Sequence, residues 1–180
     1  MSPYRPDLVD CWIFRERRLP TPPTAPADVH LPGEPPIEIL LLRRSPSKLI
    51  LPGLWQCVSG SLEAGESVAA GALRELREET GYGAAEILAF YDLDQVNQFH
   101  EPSVEAIVSG AVFAVRVRTG IEPVLSQEHD AMVWAVPSEA RRIAVWPAYR
   151  ESIGRIVEFL LDPEVASWFE LTMDGRRARR

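Results

Sequence analysis

The stretch "IEILLLRR", residues 37–44, constrains the fold more than any other. Its apolar residues run on without alternating with polar ones. A strand of that kind has to be covered on both faces, unlike the half-wet strands of an open antiparallel sheet. A second apolar strand is expected at residues 8–15, "LVDCWIFR". Between the two lie residues 19–36, with seven prolines at 20, 22, 23, 26, 32, 35 and 36. Proline removes ladder donors, so this segment is expected as an irregular insertion loop.

The remaining segments alternate in type. After Pro52-Gly53, "LWQCVSG" is expected as a short extended run. A helix is expected over residues 67–80, with Ser67 as N-cap, Gly81 just past its end, and Val68, Ala72 and Leu76 as its buried stripe. "AAEILAFYDLDQV" and "VEAIVSGAVFAVRVR" are expected as strands, the second long and central, and "AMVWAVP" as a shorter one. "SEARRI" suits a short helix, and residues 149–161 a longer one with Tyr149, Ile153, Ile156, Val157 and Leu160 on one face. Strands, helix, strands, helix is the order of an α/β or α+β sandwich with a mixed sheet. At 180 residues the chain accommodates one well-buried domain, expected over 1–165, and a tail at 166–180. The basic end "RRARR" is expected to be frayed and solvated.

Composition narrows the function classes. No stretch of eighteen apolar residues is present, so no membrane span is expected, and the N-terminus lacks a secretory pattern. Cys11 and Cys57 lie in apolar stretches and are expected reduced and buried, in keeping with a cytoplasmic protein. A formal charge of −7 argues against a general nucleic-acid binder. It does not exclude phosphate substrates that arrive with a metal cation.

The helix over 67–80 carries Glu75, Glu78 and Glu79, at i, i+3 and i+4. Like charges at those spacings destabilise a helix by a few tenths of a kcal/mol per pair. Arg74 and Arg77 offer partial neutralisation; a divalent cation, which takes several hard oxygen ligands, offers a stronger reason for the crowding. Read from Gly60, the chain gives Gly, five residues, Glu66, seven residues, Arg74-Glu75-Leu76, one residue, Glu78-Glu79, one residue, Gly81-Tyr82. This resembles, position for position, the signature of the Nudix hydrolases, with Tyr82 the one soft match.

The resemblance implies the Nudix fold, an α/β/α sandwich around a mixed central sheet, with a loop–helix–loop holding Mg2+ (or Mn2+) against a diphosphate. Glu75, Glu78 and Glu79 match the metal-binding carboxylates, and the backbone carbonyl of Ser59 an additional ligand. Arg74 matches the arginine that orients a glutamate. Glu66 matches the loop brace, and Gly60 and Gly81 serve the turns. Family members cleave a nucleoside diphosphate linked to another group by water attack on phosphorus, so a carboxylate must take a proton. That base is Glu75 on the helix in some relatives; in others it comes from a loop, for which Glu128 in "SQEHD" is the candidate.

Around this signature, the box of residues 60–82, the lead-in "LWQCVSGSLEAGES" and the stretch "LSQEHDAMVWAVPSEARRIAVWPAYRESI" are similar to the dihydroneopterin triphosphate, or dATP, pyrophosphohydrolase branch. The expected partner is thus a small nucleotide or pteridine phosphate, the expected state a monomer or homodimer. Trp55, Phe99 and Tyr91 are candidates for a ring pocket, and Arg43 and Arg44 for phosphate contacts. Two alternatives remain at this stage. One is a hydrolase of dinucleoside polyphosphates or nucleotide sugars; the other is a catalytically inactive sensor of a nucleotide metabolite.

Overall fold

The structure, a computed structural model, describes residues 6–17, 33–103 and 105–179. The expectation for the proline-rich connection lies outside these except at residues 33–36. Among the described residues, eight strands make one sheet: β1 (Leu8–Glu16), β2 (Ile37–Arg44), β3 (Trp55–Gln56), β4 (Val58–Ser61), β5 (Ile87–Glu101), β6 (Ala106–Val117), β7 (His129–Ala135) and β8 (Glu170–Leu171). Their order is β3-β2-β1-β6-β5-β8, with β4 also on β1 and β7 also on β2. β1 and β6 run parallel while the other pairs are antiparallel, so the sheet is mixed.

Alternation along the strands builds a core on each face. Trp12, Phe14, Ile39 and Leu41 meet α2 (Pro137–Ile143) and α3 (Pro147–Phe159), through Ala140, Ile153 and Ile156. Cys11, Ile13, Leu40 and Leu42 meet α1 (Val68–Thr80), through Ala72 and Leu76. This is the doubly covered β2 that its unbroken apolar run requires. Helices on both faces make the α/β/α sandwich. Cys11 and Cys57 are buried and free. Among the described residues, no helix is long and apolar enough to cross a membrane.

One divergence in the sheet positions everything that follows. β1 pairs with β2 only over Ile13–Glu16, and then turns to β4 over Leu8–Cys11. β2 turns instead to β3 at Leu42 and Arg43. The segment 55–61 thus wedges between two parting strands, and its residues serve opposite faces in turn. Trp55 and Cys57 join the α3-side core, Val58 the α1-side core. Ser59 bonds Asp10, and Gly60 lies under Glu75 of α1.

Two expectations change. β5 runs to Glu101 rather than ending near Val96, because residues 96–101 continue as one arm of a hairpin against Ala106–Ala111. The C-terminal segment is ordered instead of frayed. α4 (Pro163–Ala166) leads into β8, which pairs with β5, and Arg177 reaches Asp92 at 2.8 Å.

Candidate active site

Helix α1 forms where its caps allow. Ser67 Oγ accepts the Ala70 N–H at 3.2 Å, satisfying one of the free donors of the first turn. At the other end Gly81 takes φ 73°, the left-handed conformation that glycine adopts without strain, and donates to Arg77 O at 2.9 Å. Ala72 and Leu76 are fully buried, which fixes the helix's rotation. Glu75 and Glu79 therefore turn inward, with side chains 14% and 4% exposed, while Glu78 stays 54% exposed.

The three carboxylates do not share one bearing. Over i, i+3 and i+4 the helix spreads them through about 100°, and this leaves Glu78 at the wet edge. Among the described residues no three His, Cys, Asp or Glu side chains converge closely enough to cage an ion. Arg74 is the counter-charge that gathers them. Its Nη1 donates to Glu75 Oε1 at 2.8 Å and to Glu78 Oε2 at 3.1 Å. Its Nε and Nη2 grip both oxygens of Glu66 at 3.0 and 3.1 Å, and Nη2 also donates to Ser61 O at 2.9 Å. The bond to Glu66 raises the pKa of the guanidinium, which stays charged throughout. Glu66 also accepts the Glu63 N–H at 3.1 Å, tying the loop before the helix to the helix itself. Below, Gly60 permits the approach of Glu75, because a Cβ there would overlap its carboxylate.

The turn before β7 is drawn onto the end of α1. Val124 N donates to Thr80 O at 2.9 Å and Ser126 N to Glu79 O at 3.1 Å. This brings Glu128 and His129 beside the box. Glu128 pairs with Lys48 at 2.7 Å, and its charge is one cause of the raised pKa values of Glu75 and Glu79. For both, burial is the leading cause; Glu79 is pushed up to about 8. Burial holds the His129 imidazole down to about 4. Its Nδ1 stands 3.6 Å from Glu79 Oε2, and with both groups uncharged near neutral pH the pair is not an ion pair. In the sequence His129 stands out only as the second member of the Glu-His pair ahead of the Trp134 strand, part of the resemblance to the dihydroneopterin triphosphate branch, with no role attached to it.

The residues expected to touch substrate divide between the faces. Arg44, on the α1 side, donates Nε to Ile50 O at 3.0 Å, and its charge counters the raised pKa of Glu79. Arg43, on the other side, makes a two-pronged pair with Asp130 at 2.8 and 3.0 Å and lies 5.7 Å from the Trp55 ring centre. Phe99 sits half-exposed on the outer arm of β5, opposite Val108. Tyr91 is core: it is buried against Phe14, with ring centres 6.2 Å apart. Asp10, a buried carboxylate in an apolar strand, carries no signal in the sequence. Burial raises its pKa against hydrogen bonds from Ser59 and Asn97, the latter at 2.8 Å.

The donor chemistry suits a divalent cation, although the carboxylates as placed do not surround one. The donor set is hard carboxylate oxygen, Glu79 Oε2 is buried without a hydrogen-bond partner, and a Cβ at Gly60 would close the space under Glu75. A Myxococcus xanthus protein named octanoyltransferase is 36% identical over 81% of this chain, which spans 40% of that protein. The Escherichia coli CTP pyrophosphohydrolase is 27% identical over 61% of the chain and 75% of its own length. Among solved structures, a Caenorhabditis elegans Ap4A hydrolase complex superposes with a TM-score of 0.65 at 20% identity, covering 86% of this chain and 96% of that one. The E. coli dihydroneopterin triphosphate pyrophosphohydrolase gives 0.58 at 20% identity, covering 85% and 98%. At that identity the two structures establish the shared fold. The family model described as NUDIX domain matches residues 29–155, and the chain belongs to that family.

Proposed function

We propose that this protein is a divalent-cation-dependent pyrophosphohydrolase that cleaves a nucleoside or pteridine triphosphate to the monophosphate and pyrophosphate. The observation that carries this reading is the pair of inward carboxylates, Glu75 and Glu79, on a helix braced to its own loop by Arg74 and Glu66. Glu75, Glu78, Glu79 and the Ser59 carbonyl would hold Mg2+ or Mn2+. A bound cation supplies charge neutralisation at the phosphate oxygens and activation of water. The chain's own groups do the rest. Arg74 keeps Glu75 and Glu78 oriented, Arg44 offers charge to a phosphate oxygen, and Glu75 or Glu128 takes the proton from the attacking water. Water attack on one phosphorus breaks its bridge to the next phosphate, which leaves with the electron pair.

The names of the E. coli CTP and dihydroneopterin triphosphate pyrophosphohydrolases support a triphosphate substrate. The octanoyltransferase name is not carried over. Acyl transfer through a thiol needs a lowered thiol pKa, whereas burial pushes those of Cys11 and Cys57 up.

The test is purified protein with Mg2+ or Mn2+ against nucleoside triphosphates, dihydroneopterin triphosphate, diadenosine polyphosphates and ADP-ribose, with product identification. Pyrophosphate release from a triphosphate is expected. Turnover confined to a diadenosine polyphosphate overturns the substrate class, and binding without turnover overturns the enzyme reading. Glu75→Gln and Glu128→Gln then separate the two proton acceptors: the variant that loses the acidic limb of the pH–rate profile has lost the base.

A further inference from the structure

We propose that His129 is a nitrogen ligand of the divalent cation held by the α1 carboxylates. The assignment rests on the pyrophosphohydrolase reading and adds to it a donor that the box does not contain. His129 opens β7, and three backbone bonds fix where it stands. Val124 N to Thr80 O and Ser126 N to Glu79 O, at 2.9 and 3.1 Å, zip the preceding turn to the last turn of α1. His129 N then closes that turn on Ser126 O at 3.3 Å. The imidazole is thereby delivered to Glu79 at the level of the box, with 1% of its side chain exposed.

What it meets there is incomplete. Neither ring nitrogen of His129 has a hydrogen-bond partner among the described residues, and neither does Glu79 Oε2. Leaving a buried polar atom unsatisfied costs about 1–3 kcal/mol, so native interiors pair such atoms or give them a shared ligand. Here an unpartnered nitrogen and an unpartnered carboxylate oxygen face each other at 3.6 Å, beyond hydrogen-bond range. Two donors on one ion, each about 2.1 Å from it, stand roughly 3.0 Å apart across a right angle, so the pair needs to close by only about half an ångström. One cation takes up Nδ1 and Oε2 together and leaves the Nε2–H as the sole orphan. The other charged groups around the ring, Glu128, Asp130, Arg44 and Lys48, leave these two atoms unsatisfied.

An imidazole donor changes which ion the site prefers. Oxygen ligands alone suit Mg2+, whereas a nitrogen ligand shifts preference toward Mn2+ and Co2+. The test uses the 180-residue chain titrated with Mn2+, with affinity read by continuous-wave EPR and ligand identity by pulsed EPR. Expected are a directly coordinated 14N coupling in the wild type and its loss in His129→Leu. That variant should also bind Mn2+ at least about tenfold more weakly, with Mg2+ affinity changed less than about threefold. Mn2+ bound without nitrogen coupling in the wild type overturns the His129 assignment and leaves the proposed function standing. No Mn2+ binding at all overturns both. If His129→Leu does not fold, the wild-type spectrum decides alone.

Discussion

Glu79 puts a price on the site that can be measured in the metal-free protein. Its side chain is 4% exposed, and burial pushes its pKa from 4.5 to about 8. Between those values the folded state holds a proton that the unfolded chain has released, so stability falls as pH rises through the window. The interval corresponds to about 5 kcal/mol at full ionisation, a large share of a typical domain's 5–15 kcal/mol. Rotation of the carboxylate toward water relieves part of this, leaving at least about 2 kcal/mol. His129 acts with the opposite sign. Its pKa is depressed from 6.5 to about 4, so its contribution is lost as pH falls through that range and is complete above it. The comparison therefore belongs between pH 6.5 and 8.5. Urea unfolding in EDTA, followed by circular dichroism, should show the wild type losing about 2 kcal/mol over that span. Glu79→Gln should show no such loss and should be the more stable protein at pH 8.5, by about 2–5 kcal/mol. Saturating Mn2+ should reverse that ranking, because the ion binds the ionised carboxylate. Parallel pH slopes for the two proteins, or a less stable variant at pH 8.5, would refute the placement of Glu79 as a buried acid with one unsatisfied oxygen.

Three further outcomes follow from the geometry. Gly60→Ala places a methyl group on the Glu75 carboxylate, so kcat/KM should fall at least about a hundredfold, with a stability loss of about 1–3 kcal/mol seen in thermal melts. Arg74→Lys forfeits the two-pronged grip on Glu66 and the bond to Ser61 O; urea unfolding should register a loss of about 1–3 kcal/mol, and Mn2+ titration a weaker site. Truncation after residue 166 removes β8 and the Arg177–Asp92 pair, and calorimetry should show Tm lowered by about 4 °C or more; an unchanged Tm would mean that the segment adds nothing to the sheet.

Local rules made much of this legible in advance. α1 announced itself because its caps, Ser67 and Gly81, and its stripe, Ala72 and Leu76, all agree on one helix. β2 did so because an unbroken apolar run admits few environments. The outer half of β5 did not, since Gln98 and His100 carry no apolar period; only pairing with β6 makes them strand. β8 is two residues long and owes its order to Leu171 packing on the sheet and Arg177 reaching Asp92. At the site, the spacing of Arg74, Glu75, Glu78 and Glu79 was readable as a unit. Which carboxylates turn inward was not, because that depends on the helix's rotation against the sheet. His129 and Asp10 were harder still: a single polar residue has no periodicity, and its neighbours across the fold define it.

The wedge between β1 and β2 has a consequence for how this chain can vary. Odd and even positions of 55–61 answer to different masters, the box on one side and the Asp10–Asn97 cluster on the other. Adding or deleting one amino acid there would swap every side chain to the wrong layer at once. A substitution such as Trp55→Phe alters one layer and spares the other. The layer packed on α3 and the layer under α1 can therefore change independently by point mutation, while the length of this seven-residue ribbon stays locked.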